Sequence, residues 1–312
     1  VSDLSICIPA YNYGHYLGYA IESCLLPDKD IELVILDNFS TDNTPSLRDK
    51  YVGDERVKWF RNNELLPVQK NWNKSVSLTS RKFVKLLQAD DLLLPNFFDF
   101  FEKYIIDDRC GIYGHLAIII DENGNETRKQ QRYGVNDEYS VSGIQAVKMK
   151  IRNVARFKEP SCNFYKRDAW EKIGGYREDL RFVFDVAFNT KLAYQFGGIL
   201  INDFGSAVRR HSGSDGAKLP SELAVSEIVQ LLDYYFFIYK SELSEIDRVS
   251  ANSIIQYRIL ELFPQKFKKT PIKSLDFLRR HLKYFKYIKS FPATFDSLSR
   301  KLLTGDIQKS FD

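Results

Sequence analysis

Within the first 90 residues, four short apolar runs alternate with longer stretches of helical spacing, and no other feature limits the fold as strongly. The runs cover residues 4–8, 31–36, 57–60 and 83–87 and read as strands. Strand and helix taken in turn give a parallel sheet with helices on its faces. The runs at 31–36 and 83–87 are almost unbroken in apolar residues, the pattern of strands covered on both sides, and are expected in the middle of the sheet. Between the first two runs, Tyr16, Leu17, Ala20, Ile21, Cys24 and Leu25 recur every three or four residues, and Pro27 closes that helix.

Further along, Pro95 is placed for the first turn of a helix through Phe97, Phe98, Phe101 and Tyr104. A strand over 112–120 then runs into DENGNE, whose Asn-Gly pair favours a tight reversal, so a hairpin reaching about Tyr133 is expected and the sheet becomes mixed. The fold class is therefore α/β, a Rossmann-like, mixed but mainly parallel sheet flanked by helices. From Ser221 onward the spacing of Leu223, Ile228, Leu231, Leu232, Tyr235 and Phe236 is helical with little strand signal. This places a boundary near residue 216, with an α/β unit over 1–215 and a helical C-terminal extension over 216–312. A chain of 312 residues, 44% hydrophobic and 28% charged, can bury one large core and carry such an extension.

A net charge of +4 with a pI near 8.6 is too mild for a nucleic-acid partner. The charge is uneven, however. From 264 to 290 nine Lys and Arg stand against one Asp, interleaved with Phe267, Phe277, Leu278, Leu282, Tyr284, Phe285, Tyr287 and Ile288. Such a segment suits an interfacial helix on an anionic membrane, an appendage packed on the catalytic unit, or a partner-docking helix. Cys7, Cys24, Cys110 and Cys162 show neither a CxxC pair nor regular spacing, which points to a reducing compartment. With no leader-like start and no run of eighteen apolar residues, the expected location is cytoplasmic, possible attachment being peripheral at the inner face of the membrane.

Ligands of an open parallel sheet gather beyond the carboxyl ends of its strands. The first strand leaves into Pro9, Ala10, Tyr11 and Asn12, the second into Asp37, Asn38, Phe39, Ser40, Thr41 and Asp42, and the fourth into Gln88, Ala89, Asp90 and Asp91. Any one of these exits alone reads as a helix cap or a turn. Together they direct three polar strand ends at one crevice. Adjacent carboxylates at Asp90 and Asp91 repel unless a cation or hydrogen bonds offset them, and a hard divalent ion with oxygen ligands does so. A metal–diphosphate site follows.

The segments PAYNYGHYLGYAIESCL, LVILDNFSTDNT, LLQADDLLLP, GGYREDLRFVFDVAFNTKLA and VRRHSGS, in this order over about residues 4 to 215, resemble the inverting family 2 of nucleotide-diphospho-sugar glycosyltransferases with the GT-A fold. The resemblance implies that Pro9, Tyr11, Asn12, Asp37 and Asn38 surround base and ribose. Arg61, Asn71 and Lys74, in RNNELLPVQKNWN, would line the nucleotide pocket, with Gln88, Ala89 and Asp90 on the donor side. Asp90, Asp91 and His211 would hold Mn2+ or Mg2+, although His211 reads equally as a diphosphate contact or a solvated loop residue. Asp185 would be the catalytic base, although its position also suits a carboxylate complementing a helix dipole. Trp170 and Arg209 would meet the acceptor, Trp170 reading also as a core residue. The implied activity is transfer of one sugar, UDP-linked first of all, to a saccharide or lipid-linked saccharide in bacterial surface polysaccharide or glycan assembly.

Three departures qualify this resemblance. Gln88 replaces the first acid of the family's DXD, Phe184 the acid before the base, and Phe39 the glycine of the second-strand turn. A catalytically inactive nucleotide-sugar-binding scaffold is therefore the alternative, to be separated from an enzyme by turnover. A nucleotidyltransferase usually begins with a glycine-rich basic loop, which PAYNYGHYLG is not.

Overall fold

The computed structural model describes residues 3–26, 29–106, 108–132, 136–151, 157, 159–213, 221–253 and 255. Four strands, β1 (Leu4–Ala10), β2 (Glu32–Asp37), β3 (Val57–Arg61) and β4 (Phe83–Leu86), lie parallel in the order β3-β2-β1-β4. Their apolar runs dictate this, since β1, β2 and β4 are buried along their whole length while β3, at the edge, is half open. The register pairs Ala10 with Asp37 and Asp37 with Arg61, so the ends of β1, β2 and β3 lie at one level. The connecting helices are α1 (Gly14–Cys24), the short α2 (Arg48–Tyr51) after a 3-10 turn at Thr44–Leu47, and α3 (Val68–Ser77). Pro27, expected to close α1, lies outside the described residues.

Beyond β4 the sheet becomes mixed. The next elements are β5 (Leu92–Leu93), α4 (Phe97–Ile105), β6 (Ile112–Ile120), β7 (Glu126–Lys129), β8 (Glu138–Val141), α5 (Ile144–Ile151), β9 (Asn163–Lys166), α6 (Arg167–Ile173), α7 (Phe184–Phe196) and β10 (Gly198–Arg209). The full order is β3-β2-β1-β4-β9-β6-β10-β5, with β7 against β6 and β8 against β10. β9 runs antiparallel to β4 and β6, and β10 runs parallel to β6. The β6–β7 hairpin turns where Asn-Gly was expected to turn it. Gly124 there has φ 91°, and Asp121 Oδ1 accepts the N–H groups of Asn123 and Asn125.

The core is aromatic where α4 covers β4, β6 and β9. Tyr113 and Phe164 stack at 4.8 Å, and Phe83, Phe97 and Phe101 close around Phe164 edge-on. These contacts hold β9 between β4 and β6, and so fix the turn before β9 against the β4 exit.

The chain separates into two compact units, Val1–Leu219 and Pro220–Asp312. In the second unit α8 (Ser221–Ile238) is followed by a helix over 245–253. Ser244 starts that helix by exchanging hydrogen bonds with buried Asp247, each side chain accepting the other's N–H. The basic aromatic segment 264–290 lies outside the described residues.

Candidate donor, metal and base site

At the β1 and β2 exits two loops are tied into one platform. Asn12, at φ 56°, donates its N–H to Ser40 Oγ (2.9 Å) and its Oδ1 accepts from Thr41 N–H (2.8 Å). Asp42 accepts from the N–H groups of Gly14 and Thr44, both at 2.9 Å, which fixes the start of α1. Asp37 is fully buried, with Oδ1 accepting from Ser40 N–H (2.9 Å) and Oδ2 paired with the Arg61 guanidinium. Pro9 is buried in β1, while Tyr11 opens to solvent.

Behind this platform stands a chain of amides. Asn62 Nδ2 donates to Asn38 Oδ1 (2.8 Å) and Asn71 Oδ1 (2.9 Å), and Asn62 Oδ1 accepts from Lys74 Nζ (2.7 Å). Asn38 also exchanges both bonds with the Leu66 backbone. Asn38 and Asn71 are therefore buried members of this amide chain, and Lys74 is its exposed end. Asn62, which lies in the same RNNELLPVQKNWN segment, joins them.

At the β4 exit, Asp90 Oδ2 faces His211 Nε2 across 2.9 Å. Two ligands in adjacent octahedral positions, each about 2.1 Å from a small divalent ion, stand about 3 Å apart, so this oxygen–nitrogen pair fits two corners of such a shell. Tyr13 and Tyr16 flank the imidazole, with ring centroids 6.0 and 5.4 Å away. Gln88 is half-buried and Ala89 buried beside them.

Asp91 does not share this role. Its Oδ2 accepts from Ser161 Oγ (2.5 Å) and its Oδ1 from the Arg209 N–H (2.8 Å), so the carboxylate turns inward. Among the described residues no three His, Cys, Asp or Glu side chains form a metal cage. Asp91, expected as a third ligand, is thereby turned away, which leaves Asp90 and His211 as the two side chains of the expected trio that could hold an ion. Burial raises the Asp91 carboxyl well above the usual range, and the neighbouring Asp90 adds to this.

Arg209 requires a second correction. Rather than meeting an acceptor, its guanidinium is buried and donates to the carbonyls of Asp90 (2.8 Å), Asp121 (3.0 Å) and Glu122 (3.1 Å) while lying over the Tyr16 ring. It clamps the β6–β7 turn to the β4 exit.

Ser161 is the hub beneath the Asp90–His211 pair. Its Oγ accepts from Gln88 N–H (3.0 Å), and its carbonyl accepts from Ser206 Oγ and Lys85 Nζ, both at 2.6 Å. Lys85 is fully buried and donates also to His115 Nε2 (3.0 Å), which leaves the ring proton on Nδ1 facing Leu116 O. Burial pulls the Lys85 ammonium down to about 8. A lysine inside the apolar run FVKLL was the sequence signal for this network; Ser161 had none.

The base candidate opens α7. Asp185 is half-buried in the first helical turn, with Oδ1 accepting from Val186 N–H (2.7 Å). Burial pushes its carboxyl up to about 7, outweighing that hydrogen bond, and the charge of Glu159 adds to the rise. Glu159 is ion-paired with Arg210 and acts electrostatically on both Asp91 and Asp185. Neither Glu159 nor Arg210 was singled out as a site residue. Phe184 fills the place of the missing acid by packing edge-on against Trp72 (4.9 Å).

Trp170 is the third correction. Its ring closes over Gly175, where an added Cβ would lie 3.0 Å from the indole, and its Nε1 is buried without a hydrogen-bond partner among the described residues. It is a packing residue at the glycine pair, not an open sugar platform.

The sheet order, with an acidic β4 exit facing the end of β10, is that of the GT-A fold. The chain belongs to glycosyl transferase family 2, whose sequence model matches residues 5–174, more than half of it. Among curated proteins it is similar to an uncharacterised protein of Mycobacterium tuberculosis, 24% identical over 223 residues and 68% of each chain. It is also similar to GalNAc(5)-diNAcBac-PP-undecaprenol beta-1,3-glucosyltransferase of Campylobacter jejuni, 28% identical over 142 residues; this match spans only 45% of each chain. Its fold matches the crystal structure of S. aureus TarS 1-349 with UDP-GlcNAc (TM-score 0.57, 16% identity, 82% of this chain and 80% of that one). It also matches the mannosyltransferase PcManGT of Pyrobaculum calidifontis with GDP-Man and Mn2+ (TM-score 0.56, 15% identity, 96% and 80%).

Proposed function

We propose that this chain is a metal-dependent transferase that moves one sugar from a nucleotide diphosphate sugar, a UDP-sugar foremost, to an acceptor hydroxyl with inversion. Family membership supports glycosyl transfer. The observation that carries the fuller reading is the Asp90–His211 pair, two side chains 121 positions apart that meet at the carboxyl end of the sheet. The manganese held by PcManGT and the UDP-GlcNAc held by TarS support the choice of ion and donor.

In this reading Asp37, Arg61 and the Asn38–Asn62–Asn71 wall hold base and ribose, and Asp90 and His211 hold Mn2+ or Mg2+. When bound, the ion supplies positive charge against the diphosphate as it departs. Asp185 takes the proton of the acceptor hydroxyl. The freed oxygen bonds to the anomeric carbon while the bond from that carbon to the diphosphate oxygen breaks, its electron pair leaving with the nucleoside diphosphate. A base held near 7 suits this work at neutral pH.

The undecaprenol-linked compound in the Campylobacter relative's name supports a lipid-linked saccharide as acceptor, in surface polysaccharide or glycan assembly. We assign the catalytic unit to 1–215 and to the extension 216–312, through 264–290, contact with an anionic membrane surface or a partner. No helix among the described residues is long and apolar enough to cross a membrane.

The test is a melting-temperature panel of UDP, GDP, dTDP and CDP with and without manganese. A manganese-dependent rise with one nucleotide is expected, since a ligand at 100 times its Kd adds about 2.7 kcal/mol to the folded state. No rise with any of the four at millimolar concentration overturns the donor reading.

A further inference from the structure

Phe39 carries two costs at one position. Its backbone sits at φ 63°, a left-handed conformation that a bulky side chain rarely adopts, and its ring is 42% exposed. Glycine at this position would avoid both. The conformation persists because the residues on either side are locked. Asn38 is held by Leu66 and Asn62, while Ser40 N–H is held by Asp37 and Ser40 O accepts from Arg61 (2.9 Å).

The ring is also backed. The Arg61 guanidinium, itself fixed by Asp37 and Ser40, lies 5.5 Å from the Phe39 ring centroid. Phe39 therefore stands as an oriented aromatic surface, two residues past the buried carboxylate of Asp37. On the adjacent strand Tyr11, 38% exposed, leaves at the level set by the Ala10–Asp37 pairing. An open ring on a rigid support, beside a carboxylate, suits a planar heterocycle better than it suits phosphate.

We propose that Phe39 determines how the donor's base is gripped, its ring supplying a stacking face for the heterocycle of a nucleoside diphosphate, a face that a base-free diphosphate does not use. This rests on the donor-site reading above. Phe39 thus makes the loop less stable than it could be in exchange for base affinity.

The experiment is calorimetric titration of UDP, GDP and inorganic pyrophosphate, each with manganese, into the wild type, Phe39→Gly and Phe39→Tyr. Loss of one base-stacking partner corresponds to a fall of about tenfold or more in affinity. Phe39→Gly is expected to lose that much for the nucleotide the wild type binds, to keep pyrophosphate affinity within about twofold, and to melt no lower than the wild type. Phe39→Tyr, which retains the ring, is expected to bind like the wild type. Nucleotide affinity unchanged in Phe39→Gly, or an equal loss for pyrophosphate, overturns the role of Phe39 and leaves the donor site standing. A wild type that binds none of UDP, GDP, dTDP and CDP overturns the donor reading and the role of Phe39 with it.

Discussion

Replacement of Asp185 by Asn is expected to lower sugar transfer by about 10²–10⁴-fold, the usual contribution of a positioned general base, while nucleotide binding stays within about twofold of wild type. Donor hydrolysis and transfer assays, run beside nucleotide titrations, separate the two effects. Because the Asp185 carboxyl is raised to about 7, the wild-type rate should climb as pH rises through about 7 and level off above it. The same shift has a consequence for stability. A carboxyl raised in the folded state binds its proton more tightly there than in the unfolded chain, so stability falls as pH rises from the ordinary aspartate value of 3.8 towards 7. Asp185→Asn, which carries no charge, should therefore melt higher than the wild type at pH 8, with the advantage vanishing below about pH 4. Transfer at the normal rate by Asp185→Asn contradicts the base assignment.

Replacement of Asp90 by Ala is expected to remove the manganese-dependent part of nucleotide affinity. Outer partners of metal ligands typically cost about 10–100-fold in metal affinity when lost, and loss of a direct ligand should exceed that. The expectation is sharp because His211 is left with one fewer companion and Asp91 cannot replace Asp90. Both Asp91 oxygens are held inward by Ser161 and Arg209 N–H, under a hub that ties β4 to β10. Titration of UDP and GDP into Asp90→Ala, with and without manganese, checks this. Metal-free affinity should match the wild type, and an undiminished manganese effect would place the ion elsewhere.

The strands that carry the candidate site were legible because their apolar runs are local and unbroken. β10 was not, although it is twelve residues long. Asn202, Asp203 and Ser206 interrupt its pattern, and their partners come from distant segments. Asn202 donates its N–H to Asp137 O (2.8 Å), Asp203 Oδ1 accepts from Asn96 (3.1 Å), and Ser206 reaches Ser161. Asn202 and Ser206 are thereby satisfied while buried, and Asp203 stays at the surface. β9 escaped notice for another reason, being four residues placed by aromatic packing between β4 and β6.

At the candidate site, the motifs single out Asp90, His211 and Asp185 as candidates, but the orientations of their neighbours are not written in them. Arg209 sits in a basic run that resembles a ligand-facing loop, and only the three backbone carbonyls around it show that its charge is spent within the fold. Asp91, one residue from Asp90, differs from it solely by pointing at Ser161. Phe39 was visible as a departure from a glycine, yet its left-handed backbone and the guanidinium behind its ring are tertiary facts.

The central claim is that metal and diphosphate meet between the β4 exit and the end of β10. Anomalous diffraction from crystals soaked with manganese and UDP, or GDP if that is the nucleotide bound, tests it most directly. A manganese peak is expected within coordination distance of Asp90 Oδ2 and His211 Nε2, with the base over the β1 and β2 exits. A peak on other residues, or nucleotide bound away from Asp37, would contradict it.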